Sequence, residues 1–158
     1  MIKQMKRIKQ ISLLLGLTIF SVFNLFAIDD NCAIVITADD THMYSTRSIQ
    51  ISKSCTTFNI TLKHIGKGSK KVMGHNLVIA KTSDLEKVAL EGSARTLEQD
   101  YLVPNDSRIL AHTKMIGGGE ETSVSFDVSA FDASQKYGYI CTYPGHFILM
   151  RGAIELID

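Results

Sequence analysis

Cys141-Thr142-Tyr143-Pro144-Gly145-His146-Phe147-Ile148-Leu149-Met150 places a thiol, an imidazole and a thioether within ten residues, spaced Cys-x4-His-x3-Met. On its N-terminal side, Tyr137, Tyr139 and Cys141 share one face of a period-2 pattern. On its C-terminal side, Ala153-Ile154-Glu155-Leu156-Ile157 alternates again. Such alternation is the mark of a half-buried strand. The ten residues therefore read as one loop joining the last two strands of a β-domain. Pro144-Gly145 gives that loop a turn, so that His146 comes back to face what Cys141 faces.

Working outward, the same pattern recurs. Ala33-Ile34-Val35-Ile36 and Ser48-Ile49-Gln50-Ile51 are short strands, and Phe58, Ile60, Leu62 and His64 line one face of a third. Leu77–Ala80, Arg108–His112 and the Val124, Phe126, Val128 face add three more. With the two strands beside the loop this makes eight, and the fold class expected is an all-β Greek-key sandwich. One interruption is helical. Ser83-Asp84-Leu85-Glu86 has the capping-box pattern with Ser83 as N-cap, Leu85, Val88 and Ala89 follow at helical spacing, and Gly92 is the expected stop. A loop then runs to Pro104, while Gly66–Lys71 and Gly117–Glu120 read as turns or loops.

Residues 1–27 form a segment of their own. Lys3, Lys6, Arg7 and Lys9 precede the uncharged run Ile11–Ile28, which Asp29-Asp30 ends. That order is the grammar of an export signal, with cleavage near Ala27 and a mature domain over 28–158. The alternative is an uncleaved anchor, because 18 uncharged residues nearly span a bilayer. All four charges of the segment are basic, so the remainder carries 13 Lys and Arg against 16 Asp and Glu, a formal charge of −3. That balance argues against nucleic acid or an anionic membrane as partner. The remainder has the length of one domain with one core.

Three cysteines in an exported chain leave one without a mate. Cys32 opens the first strand and Cys55 closes the second, so Cys32–Cys55 is the natural bridge, fastening the N-terminal strand to its neighbour. Cys141 is left over. An exposed spare thiol outside the cytoplasm is oxidised, whereas a buried, metal-bound thiolate is protected. A further imidazole, His75 in Met73-Gly74-His75-Asn76, stands just before the Leu77–Ala80 strand. Taken singly, Met150 is an ordinary core methionine, His75 a strand-end histidine and His146 a loop histidine. Together, two His, one Cys and a weak Met are the donor set of a type 1 (blue) copper site that moves single electrons. Zinc accepts two His and a Cys, but it takes a fourth strong ligand or a water, and Met is a poor donor to it.

These motifs resemble those of the azurins, bacterial periplasmic members of the cupredoxin family. The similarity runs from about Cys32 to the C-terminus. It includes Val72-Met73-Gly74-His75-Asn76, Asp100-Tyr101-Leu102, Asp106-Ser107-Arg108, Ala111-His112-Thr113-Lys114, Ser123–Ser129 and Cys141-Thr142-Tyr143-Pro144-Gly145-His146, in order. The resemblance implies that His75 Nδ1, Cys141 Sγ and His146 Nδ1 surround one copper ion, with the Met150 sulfur and the Gly74 carbonyl as weak axial ligands. It implies that the backbone N–H groups of Asn76 and Tyr143 donate to the Cys141 sulfur, and that Cys32–Cys55 is the disulfide. It also makes His146 the electron port, set in an apolar patch of Val72, Met73, Tyr143, Pro144, Gly145, Ile148 and Leu149. A patch of that kind suits short-lived encounters with redox partners.

Several residues depart from the pattern. The chain has no Trp, and Leu77 stands where tryptophan often follows His-Asn. Tyr143 replaces the usual Phe, Phe147 is bulky beside His146, and His42 falls where the family places a patch residue. His64 and His112 occupy family positions that are not ligands. His64 reads either as a satisfied structural histidine or as a group whose titration couples to the redox state, and His112 as a surface residue. The function expected is a monomeric periplasmic electron shuttle, not an enzyme, between redox proteins such as c-type cytochromes, cytochrome peroxidase or copper nitrite reductase. The alternative is a periplasmic copper carrier or scavenger, which the lack of a Met/His-rich tract disfavours.

Overall fold

The computed structural model describes residues 32–158, so the expected export signal at 1–27 lies outside the described residues. The eight strands form where the alternation places them: β1 Ala33–Ala38, β2 Ser48–Ser52, β3 Thr57–His64, β4 Val78–Lys81, β5 Ile109–His112, β6 Glu121–Asp127, β7 Tyr137–Ile140 and β8 Arg151–Ile157. They build two mixed sheets, one ordered β1-β3-β6 and the other β2-β8-β7-β4-β5. The pairs β1/β3 and β2/β8 are parallel, the others antiparallel. The all-β sandwich expected from the sequence is the fold observed.

Side-chain alternation explains the packing. On β3, Phe58, Ile60, Leu62 and His64 all point inward, and Ile36 on β1 joins them. They meet Ile49, Ile51, Leu77, Ile79, Tyr139 and Ile154 from the larger sheet. Each fully buried aliphatic or aromatic side chain here contributes about 2 kcal/mol. The central strands β4 and β7 are buried on both faces except at Lys81. Their second face, with Val78, Ala80 and Ile140, lies against helix α2 (Leu85–Ser93) through Leu85, Val88 and Ala89. Two-sided burial is why these strands are apolar at consecutive positions and not at alternate ones.

Local expectations need four corrections. Helix α2 begins one residue later than the capping-box pattern suggests: Asp84, not Ser83, is the N-cap, and no side chain caps it. A capping box does form in the following loop, where Thr96 and Gln99 close a 3-10 turn at Leu97–Gln99. Gly92 lies inside α2, and its carbonyl accepts the closing hydrogen bonds from Ala94 and Arg95. The stretch read as a turn around Lys70 and Lys71 contains a single helical turn, α1 (Lys70–Met73). Finally, Cys32 and Cys55 are bonded, but the strand that pairs with β1 is β3, which Cys55 precedes, while β2 lies in the other sheet.

Candidate metal centre

The ligand loop folds on itself before any side chain is considered. Cys141 N–H donates to the Met150 carbonyl (2.9 Å), and Met150 N–H donates to the His146 carbonyl (2.9 Å). His146 N–H closes the inner turn on the Tyr143 carbonyl (3.0 Å). Gly145, at φ +85°, supplies the left-handed residue this reversal requires. His75 is fixed from the other side of the site by a two-way backbone bridge with Ile116 (2.9 and 2.8 Å).

Three buried donor atoms converge as a result. His75 and His146 face each other Nδ1 to Nδ1 at 3.2 Å, and the Cys141 sulfur is 4.0 Å from His146 Nδ1. The donors of His75, Cys141 and His146 lie within 4.8 Å of one another, the one such cluster among the described residues. His75 Nε2–H donates to the Asp39 carbonyl (2.9 Å). A carbonyl can only accept, so the proton sits on Nε2 and the Nδ1 lone pair is left for the cluster. Burial pushes His75 down to about 4 and His146 to about 3, so both rings are neutral at pH 7. Burial pushes the Cys141 thiol up to about 11, while the Asn76 and Tyr143 N–H groups and the Tyr44 hydroxyl pull it back. A metal at this site therefore displaces the thiol proton.

A hydrogen-bonded frame holds the two ligand segments together. Asn76 Nδ2 donates to Thr142 Oγ1 (2.8 Å) and the Asp100 carbonyl (3.0 Å), and Thr142 N–H donates back to Asn76 Oδ1 (2.9 Å). The Tyr44 hydroxyl donates to the Asn76 carbonyl. The Tyr143 hydroxyl donates to the Lys71 carbonyl (2.7 Å), tying the loop to α1. Gly74 has no room for a side chain: a Cβ there would stand 2.6 Å from the Lys70 carbonyl oxygen and 3.0 Å from both the Tyr143 ring and the Met115 sulfur. Its backbone packs this tightly against Lys70, Met115 and Tyr143 because it is glycine.

The structure brings the remaining candidates together unevenly. Met150 is fully buried in the same core as Cys141. His64 stacks on His75 at 4.4 Å, and both its nitrogens are engaged: Nε2–H donates to the Met73 carbonyl (2.9 Å) and Nδ1 accepts from Gly66 N–H (3.1 Å). His112 is exposed. Val72, Ile148 and Leu149 are 68%, 67% and 50% exposed, Pro144 and Gly145 are exposed, and Met73 and Tyr143 are half-buried. His146 itself is only 6% exposed. His42 packs on it at 4.3 Å and Tyr143 at 4.4 Å, so the rings around it cover much of its edge. The sequence reading did not assign roles to Asp39, Tyr44, Asp100 and Thr142. Asp39 and Asp100 act here through main-chain carbonyls, which no side-chain pattern reveals. Tyr44 and Thr142 act through hydroxyls, at positions where a residue of similar bulk would pack as well.

Two neutral imidazoles and one thiol in a dry cavity suit a borderline-soft ion with one-electron chemistry, and copper fits that donor set. A mixed β-sandwich with such a cluster between its strand ends defines a mononuclear copper-binding protein of the cupredoxin class. Residues 31–157 match the copper binding proteins of the plastocyanin/azurin family, and the chain belongs to that family. It is 45% identical over 127 residues to Azurin-1 of Alcaligenes xylosoxydans xylosoxydans, covering 80% of this chain and 98% of the relative. It is 41% identical over 143 residues to an azurin of Bordetella pertussis, covering 90% and 95%. Among solved structures, the azurin (Az-iso2) of the obligate methylotroph Methylomonas sp. strain J superposes with a TM-score of 0.78 at 45% identity, covering 80% of this chain and 98% of that one.

Proposed function

We propose that this protein is a periplasmic electron carrier with a type 1 copper centre. His75 Nδ1, Cys141 Sγ and His146 Nδ1 would hold the ion as strong ligands, and the Met150 sulfur and Gly74 carbonyl would be its weaker ones. Copper held there supplies a one-electron Cu(II)/Cu(I) couple. The protein supplies everything that keeps that couple fast. His75 is oriented by Asp39 and His64, and His146 by Tyr143 and His42. The Asn76 and Tyr143 N–H groups steady the sulfur's charge, and burial excludes water. The observation that carries this reading is the convergence of three buried donors within 4.8 Å on a frame of protein hydrogen bonds. Ligands set by the fold move little between oxidation states, which keeps reorganisation small.

Residues 1–27 act as the export signal in this reading, and 28–158 as the working domain. The exposed Val72, Ile148, Leu149, Pro144 and Gly145 beside His146 are the contact face for a c-type cytochrome, a cytochrome peroxidase or a copper nitrite reductase. The three donors are buried, and the protein is read as a carrier and not an enzyme. The test is to add Cu(II) to the purified protein and record visible and EPR spectra. An intense thiolate-to-copper band with a narrow copper hyperfine splitting is the expected result. A pale tetragonal Cu(II) spectrum would mean that the ligand set is not assembled as proposed, and copper carriage would become the better reading.

A further inference from the structure

Asp100 lies in the connection from α2 to β5 and supplies no ligand, yet it is bonded to three segments around the site. Its carbonyl accepts from Asn76 Nδ2 (3.0 Å), next to His75, and from the Thr142 hydroxyl (3.4 Å), next to Cys141. Its carboxylate accepts from Met115 N–H (2.8 Å). Met115 belongs to a stretch laced to the His75 segment. Leu77 N–H donates to the Thr113 hydroxyl (2.9 Å), Thr113 N–H donates to the Leu77 carbonyl (3.0 Å), and Ile116 is the bridge partner of His75. The backbone conformation suits the residue. Asp100 has φ 53°, in the left-handed region that Asp and Asn tolerate and most other side chains resist. Tyr101 follows at φ 53°, and Gly92 of α2 makes room for it, since a Cβ there would collide with the Tyr101 carbonyl oxygen.

We propose that Asp100 is a positioning residue of the metal centre: its carbonyl and carboxylate together fix the spacing of the His75 and Cys141 segments, and loss of the carboxylate lowers the reduction potential of the site. This inference rests on the copper-ligand reading above. The carboxylate holds Met115, and through the neighbouring Ile116 it holds the backbone of His75. The carbonyl holds Asn76 and Thr142, one from each ligand segment. Releasing Met115 therefore slackens the carbonyl end too, because both acceptors belong to one residue. Cu(II) gains when its donors are free to shift towards a tetragonal arrangement. Donors held still deny it that gain. A slackened frame thus favours Cu(II) over Cu(I), and this fixes the sign of the effect.

The test compares wild type, Asp100→Gly, Asp100→Asn and Asn105→Gly, copper-loaded by midpoint potential and EPR, and metal-free by amide hydrogen exchange. Asp100→Gly accepts the left-handed backbone and removes the carboxylate. Asp100→Asn keeps the backbone and an Oδ1 acceptor. Asn105→Gly is the matched control, with glycine at another left-handed position of the same connection (φ 57°), on an exposed residue. The expected result is a lower potential and a wider copper hyperfine splitting for Asp100→Gly, with wild-type values for the other two. In the metal-free wild type, Met115 N–H should exchange as slowly as Ile116 N–H, and both should exchange faster in Asp100→Gly. An unchanged potential in Asp100→Gly, an equal shift in Asp100→Asn or Asn105→Gly, or a fast-exchanging Met115 N–H in wild type overturns the proposal while leaving the copper site standing. A wild type without the blue spectrum removes the copper reading and this inference together.

Discussion

Strand β1 lies between Cys32, beside one closure of the sandwich, and Asp39, beside another, and the two closures are built on opposite principles. At the first, Cys32 and Cys55 close the β1 start onto the segment entering β3 with a covalent bond. At the second, the Cys141 sulfur stays free, and closure depends on Asn76, Thr142, Tyr44, Tyr143 and Asp39, each hydrogen-bonded across segments distant in sequence. The covalent closure adds stability and no chemistry. The polar closure adds chemistry, and it costs stability unless every buried group is satisfied. That condition is met: among the described residues, each buried side-chain N or O has a hydrogen-bond partner. A cysteine's fate in this molecule thus follows from what surrounds its sulfur.

Substitutions at the two closures should separate these roles. The largest effect is expected from Cys141→Ser, which removes the thiolate and with it the whole thiolate-to-copper band. Far-UV circular dichroism of the metal-free variant should stay that of the parent, and a residual blue band would end the assignment of Cys141. Replacing Cys32 and Cys55 together by Ala opens a loop with a sequence separation of 23. This should cost about 3 kcal/mol on chain-entropy grounds, read by denaturant unfolding, with the visible spectrum unchanged. A spectrum altered by that double variant would show that the two closures are coupled.

Asn76→Ala lies where the contrast is weakest, because Asn76 serves both the donors and the stability. It leaves the buried Thr142 N–H without its acceptor and the Thr142 hydroxyl with only the Asp100 carbonyl as partner. A loss of about 1–3 kcal/mol is expected, together with a shifted copper spectrum. If stability fell with the spectrum untouched, Asn76 would belong to the scaffold alone.

The last contrast is the pH dependence that the copper end contributes. His75 and His146 are held far below the ordinary histidine value of 6.5, down to about 4 and about 3. As pH falls below 6.5 the unfolded chain takes up these protons first, so stability of the metal-free protein should decline from there towards pH 3–4. Cys141 is held above its ordinary value of 9, at about 11. Above pH 9 the unfolded chain loses that proton first, so stability should decline again towards pH 11. Metal-free thermal melts should therefore peak between pH 6.5 and 9, and Cys141→Ala should flatten the alkaline limb. An alkaline limb unchanged by that substitution would rule out Cys141 as its cause.

Legibility in the sequence tracked the range of the interaction involved. The strands were readable because alternation is local, and a face such as Phe58, Ile60, Leu62 records its own burial. Helix α2 was readable from Leu85, Val88 and Ala89, but its start was not. The Ser83 pattern competes with a turn in which Asp84 N–H already donates to the Lys81 carbonyl. The cover over His146 was half legible: exposed Ile148 and Leu149 follow from the loop, whereas His42 arrives from the β1–β2 connection at a left-handed φ of 61°.

The sequence by itself determined the sandwich, the odd cysteine and the Cys-x4-His-x3-Met loop, because periodicity, parity and short spacing are properties of neighbouring residues. Only the tertiary structure decided that His75 meets His146 across 71 residues with Nδ1 facing inward, since a main-chain carbonyl of Asp39 settles which nitrogen carries the proton. It alone brought the Tyr44 hydroxyl to the Asn76 carbonyl. Side-chain patterns foretell which face is buried, but the partner of a buried polar atom depends on how distant strands pack.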